Sequence, residues 1–508
     1  MSRIRQIYWL VAYDLRGMAR ERGLLALLAV ALGLALWGLT QGAAFQSGAA
    51  STVGAAQARE AQARQDAHDL ARRYFAAPEA PEAPEFADAK WWRSAFDLRG
   101  YAFYGHVGFA AKPELPGAAL AVAQADVLPP VVRVRADSLE ASRSAYELEH
   151  PARLAVGRFD LMFCVVYLWP LLLLALNLPV LSLEREKRQL PVLRLQGVSP
   201  ARLLLTRTLA RSGLAALALA SCVALLAWVV GAVPADAAGM AALGAWALWL
   251  LAWSLFWGSV AAAVAAASTG RATAAFAGFA AWLVLVVLLP ALLGAAVGLA
   301  APQPSRESYV RAMRDAGDQF AQHRSAVLAR FYDDHPQWRP AKTSLDKLSS
   351  SVMRIPRMLE QERLMAPVEA RFAEARAQRE ALFARWLWLS PASLFSEAQA
   401  RLAGHDTARH RRFEAELQGH HSALRSFFNQ RIQEAALRDE ASGCKQTCLE
   451  GWGFTDFDAV PRFQASPALQ QATPLPSLAL WAWALALLAL AAWWLRERPA
   501  PALQAAAA

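Results

Sequence analysis

Apolar residues gather into six long runs, at 23–39, 161–181, 212–233, 238–267, 274–300 and 478–495, and the stretches between them are polar or charged. From Ser212 to Ser305 the only charged side chains are Asp236 and Arg271, and they cut that stretch into three runs of bilayer length. A charge inside hydrocarbon costs roughly 2.5 to 3.5 kcal/mol even on the lenient insertion scale, and a span needs about 20 apolar residues. The two charges therefore mark turns on opposite sides of a membrane. The expected fold class is an all-α polytopic membrane protein with six transmembrane helices.

Arginine placement orients the chain. Arg3, Arg5, Arg16, Arg20 and Arg22 precede the first run, Arg185 to Arg211 lie between the second and third, Arg271 between the fourth and fifth, and Arg496 and Arg498 follow the sixth. All fall on one face, which the positive-inside bias makes cytoplasmic together with both termini. The net charge of +10 then reads as attraction to anionic lipid at the inner face and not as nucleic-acid binding. Heavy Ala and Arg usage with only six lysines suggests a GC-rich bacterial source, hence a bacterial inner (plasma) membrane. The first run, long and preceded by 22 residues, is expected to stay as an anchor and not to be cleaved.

On this reading the chain divides into a cytoplasmic interfacial helix (1–22), a first span (23–41), a first outer segment (42–158), spans two to five with an inner loop (159–300, loop 182–207), a helical outer domain (301–474), a sixth span (475–495) and a tail (496–508). The first outer segment opens with a polar helical stretch at 56–74 and passes through a Pro-broken spacer at 77–84. Trp91, Trp92, Phe96, Tyr101, Phe103, Tyr104 and Phe109 follow, too much aromatic surface for a disordered loop. In the second outer segment, Tyr309, Met313, Phe320, Val327 and Phe331, and later Phe413, Leu417, Leu424, Phe427 and Ile432, recur at helical spacing. A third helix at 351–389 is expected to be interrupted or kinked at Pro356 and Pro367.

The inner loop runs Leu183-Glu184-Arg185-Glu186 to Gln196-Gly197-Val198-Ser199-Pro200. Leu190, Leu193 and a Val192/Gln196 flank can form one face of a short helix, Gly197 stops it, and Ser199-Pro200 starts the next. Such a helix held between two spans can be pushed; the plain alternative is an ordinary turn with positive-inside arginines. Glu184, Arg185, Glu186 and Arg194 are expected to face a partner. At the N-terminus Ile4, Ile7, Tyr8, Val11 and Leu15 make an apolar stripe, either an interfacial helix or a frayed anchor flank.

Ser182-Leu183-Glu184-Arg185-Glu186, Leu190 to Leu193 and Gly197-Val198-Ser199-Pro200 resemble the coupling segment of ABC-2-type permeases, the membrane subunits of one class of ABC transporter. The chain departs from that pattern at Gln189, Pro191 and Gln196-Gly197. Tyr13-Asp14-Leu15-Arg16 with Arg20-Glu21-Arg22 resembles the interfacial helix of such permeases, with Ile7, Tyr8, Val11 and Arg16 as its residues. Leu128-Pro129-Pro130, His150-Pro151, Gly157-Arg158-Phe159-Asp160, Leu389-Ser390-Pro391-Ala392 and Leu402-Ala403-Gly404 are similar to a subgroup carrying a large extracytoplasmic domain of unknown function. The resemblance implies coupling to a separate ABC ATPase through Glu184, Arg185, Glu186, Leu190, Leu193, Arg194, Gly197, Ser199 and Pro200. It also implies a second permease copy or a related permease as partner.

The residues agree that energy comes from elsewhere. No Gly-Lys pair occurs, so there is no phosphate loop; ATP and Mg are expected in the partner ATPase, with no cofactor on this chain. The middle runs hold no Asp, Glu, Lys, Arg or His for ion coupling. Catalytic and metal sites are not expected: His410 and Glu414 share a helical face, but on a charge-rich helix. Cys444 and Cys448, in an oxidising compartment, favour a local disulfide over a free or metal-binding pair. Three functions stay open: an ABC exporter permease, a non-transporting ABC assembly that drives maturation outside the membrane, and an intramembrane enzyme.

Overall fold

The computed structural model describes residues 3–76, 90–137, 158–186, 189–442, 452–473 and 475–497. Among these, six helices are long and apolar enough to cross a membrane: α2 (Arg22–Ala76), α3 (Leu161–Glu186), α5 (Pro200–Val229), α6 (Ala237–Ala267), α7 (Arg271–Ala300) and α13 (Leu478–Glu497). Helix α1 (Arg3–Met18) precedes them and α4 (Leu190–Leu195) lies between α3 and α5. Asp236 and Arg271 mark turns as expected. The Asp236 carboxylate accepts from Gly239 N–H at the start of α6, and Arg271 opens α7.

Helix α6 is the axis of the bundle: 72% of its most apolar stretch is buried, against 17% for those of α2, α7 and α13, which leave apolar faces open. Trp246, Trp249, Trp253 and Trp257 recur along one side of α6 and are all buried. Small residues set the approach of α2. A side chain at Gly38 would meet the Asp160 backbone at 2.6 Å and one at Gly42 the Ala119 carbonyl at 2.3 Å.

Proline dictates a second feature of the bundle. Cys164–Leu168 in α3 is wound with i to i+5 bonds, the register in which the Val165 carbonyl would accept from residue 170. Residue 170 is proline and has no N–H. The Trp253 indole donates to that carbonyl at 2.9 Å, and the Trp282 indole donates to the Tyr167 carbonyl at 3.0 Å. In return Trp169 donates to Ser254 Oγ at 2.9 Å. Orphan carbonyls in hydrocarbon cost several kcal/mol each, so these indoles hold α3 to α6 and α7.

The rest forms an extramembrane domain: α8 (Arg306–Gln322), α9 (Arg324–Asp334), α10 (Ser350–Trp386), α11 (Pro391–Ala403), α12 (Thr407–Ser442) and a two-stranded antiparallel hairpin, β1 (Gly108–Ala111) with β2 (Val131–Val134). The hairpin is the exception to an all-helical fold. Three expectations are refined. The polar stretch 56–74 is not a separate helix but the unbroken continuation of the first span in α2, with Ala67, Ala71 and Tyr74 buried. The two outer segments are not separate units: Phe96, Tyr101 and Phe103 share one core with Phe413, Phe428, Trp452 and Phe457. Leu98 N–H donates to the Trp452 carbonyl at 2.8 Å and Phe454 N–H to the Phe96 carbonyl at 2.9 Å. Finally, α10 runs through Pro356 and Pro367 without interruption. The carbonyl that Pro356 strands, that of Val352, accepts instead from Gln433 Nε2 of α12 at 3.2 Å.

Helix α11 ties domain to bundle. Leu394, Phe395 and Ala398 belong to the bundle core, and the Phe395 ring stacks on Trp253 with centroids 4.8 Å apart. Just beyond it, buried Arg409 donates to the carbonyls of Pro113, Gly404 and Leu469, stapling three separate segments. His405 Nδ1, facing the Ala121 carbonyl at 2.7 Å, must carry the proton there, because a carbonyl only accepts.

Two predictions follow from these contacts. Trp253 and Trp257 are both fully buried, but only Trp253 donates to a stranded carbonyl; among the described residues the Trp257 indole nitrogen has no hydrogen-bond partner. Trp253→Phe should therefore lower stability in detergent by about 1–3 kcal/mol more than Trp257→Phe, measured by thermal unfolding. The second concerns pH. Burial, then the Arg64 charge, pushes His106 down to about 3; burial chiefly pushes His405 down to about 4, with Lys112 and Arg409 adding. Below pH 6.5 the unfolded chain takes up protons that the folded one refuses, so stability falls as pH drops from about 6.5 towards 4, at up to about 1.4 kcal/mol per pH unit per histidine. Melting curves between pH 7 and 4.5 should show a shallower slope for His106→Asn than for the parent chain.

Candidate functional site

Helix α3 ends in Glu184-Arg185-Glu186, and α4 begins at Leu190. Gly197 closes α4 with φ +80°, a left-handed conformation open to glycine, while Val198 N–H bonds the Leu193 carbonyl at 2.9 Å. Ser199 caps α5 through Arg202 N–H, with Pro200 in its first turn. The stop and start expected at Gly197, Ser199 and Pro200 are thus observed.

What fixes this segment is a buried charge network. Arg207 and Arg211 stand one turn apart on α5, so their side chains share a face. Arg207 Nη1 reaches Glu184 Oε1 at 2.7 Å, and its Nε lies 3.3 Å from Asp14 Oδ1. Arg211 grips Asp14 with two bonds, Nε to Oδ2 at 2.7 Å and Nη2 to Oδ1 at 2.6 Å, and also donates to the Leu176 carbonyl. Exposure is 5% for Asp14, 8% for Glu184, 7% for Arg207 and 9% for Arg211. Two acids and two arginines leave no net charge, the condition under which such a group can be buried. Next to it, fully buried Asn177 donates to the Leu173 carbonyl and to Ser212 Oγ, against the glycine of α6 at 258, where a side chain would meet Ser212 Oγ at 2.3 Å.

Two of the residues expected to meet a partner make contacts within the chain: Glu184 is buried and pairs with Arg207, and Arg185 turns inward, donating to the carbonyls of Ala265, Ala266 and Ser268 at the end of α6. Glu186 is half-exposed and pairs with Arg271 at 2.9 Å. Leu190 packs on a cluster of Val180, Leu181, Leu204 and Ala266, and Leu193 is half-buried beside it. The opposite side of α4 is apolar and open: Val192 is 53% exposed and Leu195 90%. The side chain of Arg194 lies outside the described residues, as do that of Ile7 and both Cys444 and Cys448. In α1, Tyr8 and Tyr13 point out, Val11 is half-buried, Arg16 is exposed, and Asp14 turns in to α5.

Sequence reasoning missed Asp14, Arg207, Arg211 and Asn177. Their signal was present: Asp14 falls seven residues after Ile7 and three after Val11, inside the apolar stripe, where an acid needs a buried cation. No group of three or more His, Cys, Asp or Glu able to hold a metal occurs among the described residues. The site is a joint between α1, α3 and α5 bearing a short exposed helix.

Residues 306–442 match the family model of a domain of unknown function, DUF3526, which spans α8 to the last residue of α12. The joint lies outside that match. No curated protein and no solved structure matches the chain.

Removing the Asp14 charge would leave one arginine unbalanced in a buried site. Asp14→Asn should cost about 3–5 kcal/mol, and Arg211→Met in the same chain should recover a good part of it by restoring neutrality. Glu186→Gln, at the half-exposed pair, should cost less than about 1 kcal/mol. Thermal unfolding of the parent chain, Asp14→Asn, the Asp14→Asn, Arg211→Met double variant and Glu186→Gln checks this order.

Proposed function

We propose that this chain is the membrane subunit of an ABC-2-type ABC transporter, an exporter of a bacterial inner membrane with both termini cytoplasmic. A separate ATPase, which holds ATP and Mg, seats on α4, and a second copy or a related permease completes the membrane unit. The observation that carries this reading is an apolar tip, Val192 and Leu195, standing exposed on a helix whose root is locked into a buried neutral network. An apolar tip without a partner is unfavourable in water, and a locked root transmits a push instead of absorbing it. Force on α4 reaches Glu184 at the end of α3, then Arg207 and Arg211 on α5, and Asp14 on α1. The chain itself supplies no chemistry in this scheme.

A second reading draws on one further contact. Phe395 of α11 stacks on Trp253 inside the bundle core, so a movement of α6 would be felt by the extramembrane domain. The same stroke would then serve protein maturation or extraction outside the membrane. Substrate uptake into vesicles separates the two.

Val192→Glu with Leu195→Glu changes only exposed side chains. It should leave insertion and melting unchanged and reduce recovery of the co-expressed ATPase by about tenfold or more, since anchors at an interface centre dominate its affinity. Full recovery and full substrate-stimulated ATP turnover would show that α4 is only a turn. Cysteines placed at Leu195 and Asp346 should differ in labelling of intact cells by an impermeant reagent: the second labelled, the first protected.

A further inference from the structure

Beyond the bundle, the polar turns of α2 pass one face of the β1–β2 hairpin. The opposite hairpin face is taken up by the domain core through Ala110, Val132 and Val134. Side chains alternate along a strand, so Phe109 and its register partner Arg133, with Ala111 and its partner Val131, stand on the face turned to α2. Together they enclose an open groove of about 400 Å³ lined by Ser51, Thr52, Ala55, Arg59, Phe109 and Val131.

Two guanidiniums flank it. Arg59 and Arg133 are exposed, and among the described residues neither has an ion pair or a hydrogen bond, whereas their neighbours Arg64 and Arg135 are paired with Glu60 and Asp137. Planar guanidiniums favour phosphate oxygens, and the apolar strip of Phe109, Val131 and Ala55 beside them suits hydrocarbon. A free phosphate would leave that strip uncovered. The groove also sits on the helix that leaves the membrane: Ser51 is ten residues past Gln41, about 15 Å along α2.

We propose that this groove binds a single-chain anionic phospholipid drawn from the membrane, its phosphate between Arg59 and Arg133 and its chain along Phe109 and Val131. The site is independent of the ATPase reading, since it needs only α2 and the hairpin. The probe is lysophosphatidylglycerol with a photoreactive tail, added to the purified full chain in uncharged detergent. Labelling should saturate and map to 51–59 and 109–131. Unlabelled lysophosphatidylglycerol should compete; lysophosphatidylcholine and inorganic phosphate should not. The Arg59→Gln, Arg133→Gln variant, with unchanged melting because neither side chain has a partner to lose among the described residues, should bind about tenfold more weakly. Phe109→Ala, which keeps both arginines, should also weaken binding. Labelling that does not saturate, that is indifferent to these substitutions, or that lysophosphatidylcholine or phosphate displaces equally well overturns the proposal.

Discussion

Everything at the loop side of the bundle depends on the need to neutralise Arg207 and Arg211. Two arginines one turn apart at the root of a membrane helix are intolerable unless each has an acid, and the acids come from different elements, Glu184 from α3 and Asp14 from α1. The charge requirement therefore assembles the architecture: α1 is drawn against α5, and the end of α3 is fixed just where α4 must leave it. The Arg185 bonds to the last carbonyls of α6 add the fourth helix. A buried pair of this kind is not a large net stabiliser, because desolvation offsets most of its Coulomb attraction. Its effect is specificity of arrangement, since any slip of one helix leaves a buried charge alone.

Bundle and domain both solve a second problem, stranded backbone. Prolines 170 and 356 each deprive a carbonyl of its partner, and in both cases a side chain from another helix supplies it, Trp253 in the bundle and Gln433 in the domain. Because Trp253 also stacks on Phe395, the same indole joins α3, α6 and the domain helix α11. The match to a family domain over residues 306–442 covers α11 and the Gln433 contact but not the aromatic segment 96–103 or the residues of 452–469 that complete its core. The matched stretch is thus part of a larger folded unit.

Much of this was legible in the chain. The spans, the turns at Asp236 and Arg271, and the stop at Gly197 with restart at Ser199 come from local rules that act within a few residues, and the structure follows them. What was not legible depends on distance in sequence. Glu184 looks like a surface charge until Arg207 is placed beside it, and Pro356 looks like a break until Gln433, 77 positions on (433 − 356), takes up the carbonyl. The polar 56–74 stretch failed to announce itself as part of α2 because a helix crossing from lipid to water changes its periodicity without changing its backbone.

Placement of charge also limits how a force could travel. Helix α4 is only six residues long and its tip is free, so it resists nothing by itself; its stiffness comes from Leu190 packed on the α3, α5 and α6 cluster and from Glu184 behind it. A load on the tip passes through the apolar Leu190 contact and then reaches the network at Glu184. Apolar packing yields by small shifts, but a bidentate arginine-carboxylate contact has one good geometry and loses its full value when displaced. Under load, then, α1, α3 and α5 would move together or the network would break, and its burial makes the second outcome the costlier one.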